Sequence, residues 1–253
     1  MYRRIRAGIF GAAALALLFC VNLVSAKDLA VSVDELVDYF DTIVFGSELD
    51  ARFANTVIAK WQKPRLTVSI EQKATEEHLK MIQHHLDALS ALTRIKFGGT
   101  KSPETADIRI LFLSTAQMGA IQGPNIDPEV VRLAAANANC YFLSWKQPPS
   151  RIVKALIAVD MTKDIAVLNS CLLEELTQSL GLPNDSDALR PSIFSDRDRL
   201  YDLGPQDRVL LYALYHPRMK AGLPREEALE VAREIFNGLT TPAEPSTSRG
   251  PNG

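Results

Sequence analysis

Between Cys171 and Asp185 the chain reads C-L-L-E-E-L-T-Q-S-L-G-L-P-N-D, and this segment constrains the fold more than any other. Residues three and four apart share one face of a helix. Cys171, Glu174, Glu175 and Gln178 therefore fall on one side, while Leu172, Leu173, Leu176 and Leu180 take the flanks and back. The leucines are expected to hold the helix in the core. Gly181 is suited to a left-handed helix end, and Pro183 forbids continuation. The chain then turns, which can bring Asn184, Asp185 and Asp187 back beside Glu175 and Gln178.

The elements around this helix are read from pattern. Ser32 to Glu35 is a capping box opening an amphipathic helix to about Phe45. Trp61 to Ile70 alternates as a strand, with Leu66, Val68 and Ile70 on one face. Thr75 caps a long helix to about Leu92, with Leu79, Ile82, Leu86, Leu89 and Leu92 on its buried side. Strands follow at Ile95–Phe97 and Asp107–Ser114. A helix starting at Asp127-Pro128 runs to about Asn137, and two more strands cover Cys140–Trp145 and Arg151–Asp160. The polar-faced helix runs from about Asp164 to Leu182. Helices at Pro205–Tyr215 and from Pro224 to about Gly238 close the chain. The fold class is α+β: a mixed sheet, one active-site-type helix and C-terminal helices.

The first 26 residues read as a leader. Arg3, Arg4 and Arg6 precede an apolar run from about Ala7 to Val21, and Val24-Ser25-Ala26 is a small-x-small cleavage pattern. The run is short of the about 20 residues of a membrane span. An uncleaved N-terminal anchor is the alternative. Residues 27–239 are expected to form one domain with helical extensions, and 240–253, rich in Pro, Ser, Thr and Gly, a disordered tail. Loss of three arginines moves the formal charge from −2 to −5, which argues against nucleic acid as a partner. No second apolar run is long enough to span a membrane. The expected location is periplasmic or secreted. Two cysteines remain, Cys140 and Cys171, and an exported context favours a disulfide over two buried thiols.

The polar-faced helix resembles the zinc helix of metzincin metalloproteases, H-E-x-x-H-x-x-G-x-x-H/D, in its spacing. In that frame stand Glu174, Glu175, Gln178, Gly181 and Asn184: the glutamate and glycine are kept, and the histidines are not. Downstream, Pro191-Ser-Ile-Phe-Ser195 resembles the metzincin methionine turn, with Phe194 in place of the methionine. Asp207, Leu211, Leu214 and Tyr215 match the helix that follows it. The phrases E-E-L-x-Q-x-L-G-L-P-N-D, S-I-F and L-Y-H-P-R-M-K-x-G are similar to an exported bacterial family, domain of unknown function 2927. That resemblance implies a degenerate metzincin-like (zincin) fold with no established activity.

The missing ligands decide the chemistry expected. Zinc prefers His, Cys and carboxylate, and a neutral amide at Gln178 is a poor substitute. His78, His84, His85 and His216 all lie outside the motif. No cofactor is expected; an oxygen-rich Ca²⁺ or Mg²⁺ site built from Glu174, Glu175, Asp185 and Asp187 is the alternative. Glu175 is the candidate catalytic residue, yet without a metal a lone carboxylate is a weak peptidase. It is equally read as a buried structural acid bonded to Gln178 or the Asn184 backbone. Glu174, Glu175, Gln178, Asn184 and Asp185 are the candidate binding residues. The function expected is a non-catalytic binding or assembly module for an envelope peptide, glycan or protein. The alternative is a hydrolase with an atypical carboxylate site using Glu175. Cleavage of the leader predicts that N-terminal sequencing of the envelope-fraction protein begins at Lys27; a chain retaining Met1 would contradict it.

Overall fold

Five strands pair in the order β2-β1-β3-β5-β4. The computed structural model describes residues 31–240 apart from 73, 137 and 149. The expected leader (1–26) and the tail beyond Thr240 lie outside the described residues. In chain order the elements are helix α1 (Val33–Phe45), β1 (Arg65–Gln72), α2 (Glu76–Thr93), β2 (Lys96–Gly99) and β3 (Ile108–Leu113). Short helices α3 (Thr115–Met118) and α4 (Pro128–Ala134) follow, then β4 (Cys140–Gln147), β5 (Arg151–Asp160), α5 (Ile165–Gln178), α6 (Pro205–Tyr215) and α7 (Arg225–Thr240). Strands β2, β1, β3 and β5 are parallel; β4 pairs antiparallel with β5 and forms one edge.

The continuous apolar run of β3 follows from a sheet covered on both faces. Ile108, Ile110 and Phe112 point into the larger core, beside Ala155, Ile157 and Val159 of β5 and Cys140 and Phe142 of β4. The alternate residues Leu111, Leu113, Leu156, Ala158, Tyr141 and Leu143 form a smaller core with Met118 and Val131 from α3 and α4. This is the period-two alternation of a strand expressed twice. The larger core is capped by α1, α2, α5, α6 and α7, with Phe40 of α1 set edge-on to Phe236 of α7 at 6.1 Å.

Helix α5 lies against β4 and β5. Leu168, Leu172, Leu173 and Leu176 are buried, each worth about 1.5–3 kcal/mol relative to exposure. A disulfide joins Cys171 on α5 to Cys140 at the start of β4, with the Cα atoms 5.8 Å apart. The helix ends at Gln178, four residues earlier than the periodicity predicts. The amides of Leu180 and Gly181 bond to Thr177 and Gln178, three residues back, and tighten the last turn. Gly181 then takes φ +118°, and a Cβ there would lie 2.2 Å from the Ala59 carbonyl oxygen. Only glycine fits this crossing of two backbones.

Several boundaries differ from expectation. β1 begins at Arg65, not Trp61. Pro64 precedes it, and Trp61 instead buries its ring and donates Nε1–H to the Ser179 carbonyl at 2.9 Å. β2 is shifted onto Lys96–Gly99, and α4 stops at Ala134. β4 extends beyond Trp145 to Gln147. Leu79 is 45% exposed: the buried stripe of α2 is centred on His78, Ile82, His85 and Leu89, which leaves Leu79 beyond its edge. Thr240, assigned to the tail from composition, is the last residue of α7. Among the described residues no helix is long and apolar enough to cross a membrane.

The disulfide closes a 31-residue separation. Replacing both cysteines by alanine is expected to lower unfolding stability by roughly 3–4 kcal/mol, the chain entropy of a loop that size. Denaturant unfolding of the oxidised wild type against the double variant measures it, and equal midpoints would contradict it.

Candidate functional site

Three stretches of chain bring carboxyl groups together beneath the end of α5. The helix supplies Glu174, Glu175 and Gln178. The return after Pro183 supplies Asp185, whose Oδ1 accepts from Gln178 Nε2 at 2.6 Å. The loop after α1 supplies Glu48, whose Oε2 accepts from the same amide at 3.4 Å. Glu48 and Asp185 lie close enough for each to alter the other's proton affinity. The loop is fixed in place because Glu48 N–H donates to the Pro183 carbonyl at 3.2 Å. Sequence reasoning missed Glu48. It sits in a polar connection with no periodicity, and only the Pro183 contact brings it here.

Asn184 does not face the acids. Its Nδ2 donates to the Thr42 carbonyl in the last turn of α1 at 3.0 Å, and its side chain packs against Gly46. Asp187 points elsewhere too, accepting from Ser195 Oγ at 2.6 Å and pairing with Arg197 at 2.7 Å. Cys171 is taken up by the disulfide. Glu175 is bonded neither to Gln178 nor to the Asn184 backbone. It is 5% exposed, and its Oε2 has no hydrogen-bond partner; nor has Oε1 of Gln178, which is 1% exposed.

The Pro191–Ser195 turn closes the site from below. Ser186 N–H donates to the Phe194 carbonyl at 2.7 Å, tying the return to the turn. Phe194 fills the core. The turn is held by buried Asp207 of α6, which accepts from Ser192 Oγ (2.6 Å), Ile193 N–H (3.2 Å) and Gly204 N–H (2.7 Å). Tyr39 of α1 completes the chain by donating to Ser192 Oγ at 2.8 Å. Burial pushes the Asp207 carboxyl up to about 6, opposed by its three donors.

Among the described residues, no ion pair involves Glu48, Glu174, Glu175 or Asp185, whereas nearby Asp187 and Asp198 each pair with an arginine. Burial and mutual repulsion therefore favour protonation. Glu174, half-buried, is pushed up to about 8, first by desolvation and then by Glu48, Asp196 and Asp207. Glu175 is raised well above the ordinary range by burial, then by Glu48, Glu174 and Asp185. Asp185 is raised by burial and by its two glutamate neighbours. Glu48 is raised by desolvation, against its contacts with Asp185 and Gln178. As a residue it is exposed, so water screens it more than the others.

A shallow groove of about 230 Å³ adjoins the acids, with Glu48 and Pro183 at one end. It is also lined by Leu49, Phe53 and Ile126 and by residues Phe142 to Lys146 of β4.

Sequence comparison places residues 33–234 in a family described as a protein of unknown function, DUF2927. The chain belongs to this family. No curated protein matches it. Among solved structures it is similar to two titled "Structure of Myroilysin" and "Crystal structure of myroilysin". The identities are 16% and 15%, with 86% of this chain and 79% of that chain covered in both cases. The TM-scores are 0.32 and 0.31.

A metzincin zinc does not fit this family member's donor set. The histidine positions are Glu174 and Gln178, and the four histidines are engaged elsewhere. His78 stacks on Phe112, His84 pairs with Asp202, His85 bonds Asn169, and His216 accepts from Arg218 N–H. Among the described residues no three His, Cys, Asp or Glu side chains are placed to hold a metal ion. The acids lie close enough to disturb one another's protons without converging on a common point.

The raised acids fix a pH dependence. An unfolded glutamate titrates near 4.5, while folded Glu174 holds its proton to about 8. Between these values the folded state binds the extra proton, so stability is greatest on the acid side and falls as pH rises through this window. The slope approaches about 1.4 kcal/mol per pH unit for one fully retained proton, and less for a partly solvated group. Urea unfolding at pH 5, 6.5 and 8 should show the decline, and Glu174→Gln should flatten it. A rise in stability over that range would contradict protonated acids.

Proposed function

We propose that the chain is an exported, non-catalytic envelope module that holds an extended peptide along β4. The observation carrying this reading is the free edge of that strand beside the groove. Ala155 N–H of β5 donates to the Asp107 carbonyl on the β3 side. Ser144 is its antiparallel partner. In such a pair both residues turn their backbone groups away from each other, so Ser144 directs its N–H and C=O outward. By the same alternation so do Phe142 and Cys140. An added strand satisfies such a row, and the groove's apolar wall takes alternate side chains of the bound segment. The metzincin-like resemblance of the motif, read on its own, would put a cleft on the same side of the helix, which supports this reading.

Export is supported by the leader pattern of residues 1–26 and by the Cys140–Cys171 disulfide, which suits an oxidising compartment. Absence of catalysis is supported by Glu175 itself. A general base must be ionised near working pH and reach its substrate. Glu175 is buried, and burial together with its acid neighbours raises its carboxyl well above the ordinary range, away from the ionised form a base needs.

Fluorescence polarisation with labelled, Val/Thr-rich eight-residue peptides tests the reading. Wild type is expected to bind them, and Ser144→Pro, which removes one outward donor from an edge position that tolerates proline, should weaken binding at least about fivefold. Hydrogen exchange on the wild type is the second readout: the amides of Phe142 and Ser144 should gain protection on adding peptide. Unchanged exchange, or peptide hydrolysis abolished by Glu175→Gln in a folded protein, would overturn the proposal.

A further inference from the structure

The acid cluster at the groove's end is built for something the protein itself does not supply. Glu48, Glu174, Glu175 and Asp185 have no cationic partner among the described residues. This is not general to the surroundings: Arg190 and Arg197 serve Asp198 and Asp187 a few residues away. The second observation is independent of the charges. Gln178 sits within the cluster through Nε2, and its Oε1 is buried without a donor, as is Oε2 of Glu175. Buried acceptors without partners are costly, and they are rare in folded proteins. Gln178 Oε1 lacks a donor, and Glu175 Oε2 lacks one as soon as its carboxyl ionises, when the missing charge is positive.

We propose that Glu48, Glu174, Glu175, Gln178 and Asp185 form a subsite for a guanidinium group, carried by an arginine of the peptide laid along β4. The subsite rests on the peptide reading for its route of entry, since Glu48 is the residue shared by groove and cluster. A guanidinium presents five N–H donors in a plane and binds carboxylates in pairs, so it meets dispersed acceptors that do not converge on one point. A divalent cation requires that convergence, and no three ligands provide it. An ammonium has three donors around a single atom and satisfies fewer of these acceptors.

Entry of a cation displaces protons from the cluster. The groups facing it are Glu174 and Glu175 of α5, Glu48 after α1, Asp185 on the return, and through space Asp196 and Asp207. All are acids, so each proton lost makes the site more receptive, and binding tightens as pH rises.

The test compares full-length mature protein with eight-residue peptides that differ at one position: arginine, its neutral isostere citrulline, or norleucine. Nα-acetylarginine methylamide and Nα-acetylcitrulline methylamide serve as peptide-free probes. The arginine peptide is expected to bind at least about tenfold more tightly than the citrulline peptide at pH 8, with a smaller ratio at pH 6. Glu174→Gln, outside the groove lining, should bring the ratio near one while leaving citrulline-peptide binding in place, and Glu48→Gln should also bring the ratio near one. Equal affinity for arginine and citrulline peptides in wild type would sink the subsite and leave the β4 reading standing. Discrimination between the two methylamides without binding of any peptide would sustain the subsite and remove the β4 route. Failure of every probe, or saturable displacement of the arginine peptide by Ca²⁺ at low ionic strength, would overturn the subsite.

Discussion

The site depends on the burial of α5 against the antiparallel edge of the sheet. Four buried leucines on that helix cover the larger core, and the Cys140–Cys171 disulfide pins its middle to the strand that borders the groove. With the helix rotationally fixed, Glu174, Glu175 and Gln178 have one direction to face. Gly181 then lets the chain cross the Ala59 backbone at close range, and Asp185 arrives opposite Gln178. Polar groups are thus forced inward by the packing of apolar ones. Their raised proton affinities follow from that packing and from one another.

A second tie holds the floor of the site. Asp207 gathers three donors from the Pro191–Ser195 turn and from the start of its own helix, and Tyr39 joins them to α1 through Ser192. The contrast with the upper cluster is chemical. Asp207 is as buried as Glu175, but its acceptors are met by hydrogen bonds, so its shift is modest. Glu175 has an oxygen with nothing to accept from. Burial alone does not set the size of the shift; burial without satisfaction does.

Much of this was legible in the chain. The capping box at Ser32, the bounds of α6, the apolar run of β3, the strand of β5 and the glycine-proline end of α5 are local signals, and the structure follows them. So is the pairing of Cys140 with Cys171, given an exported context. What escaped was non-local. Glu48 enters through a backbone bond to Pro183, far away in sequence, and no spacing rule encodes it. Asn184 occupies a third-ligand position in the motif frame, yet its side chain finds a better use for its donor at the open end of α1. Leu79 shows the same limit: heptad-like spacing cannot tell which edge of a wide apolar stripe the core will use.

Asn184 has a further consequence. By bonding the last turn of α1 it couples that helix to the same return that carries Asp185, while the residues just past α1 carry Glu48. The return is thus tied to α1 and its following loop twice, through Asn184 to Thr42 and through Glu48 N–H to the Pro183 carbonyl, so the spacing between Glu48 and Asp185 is set by two clamps on either side of it rather than by the acids themselves.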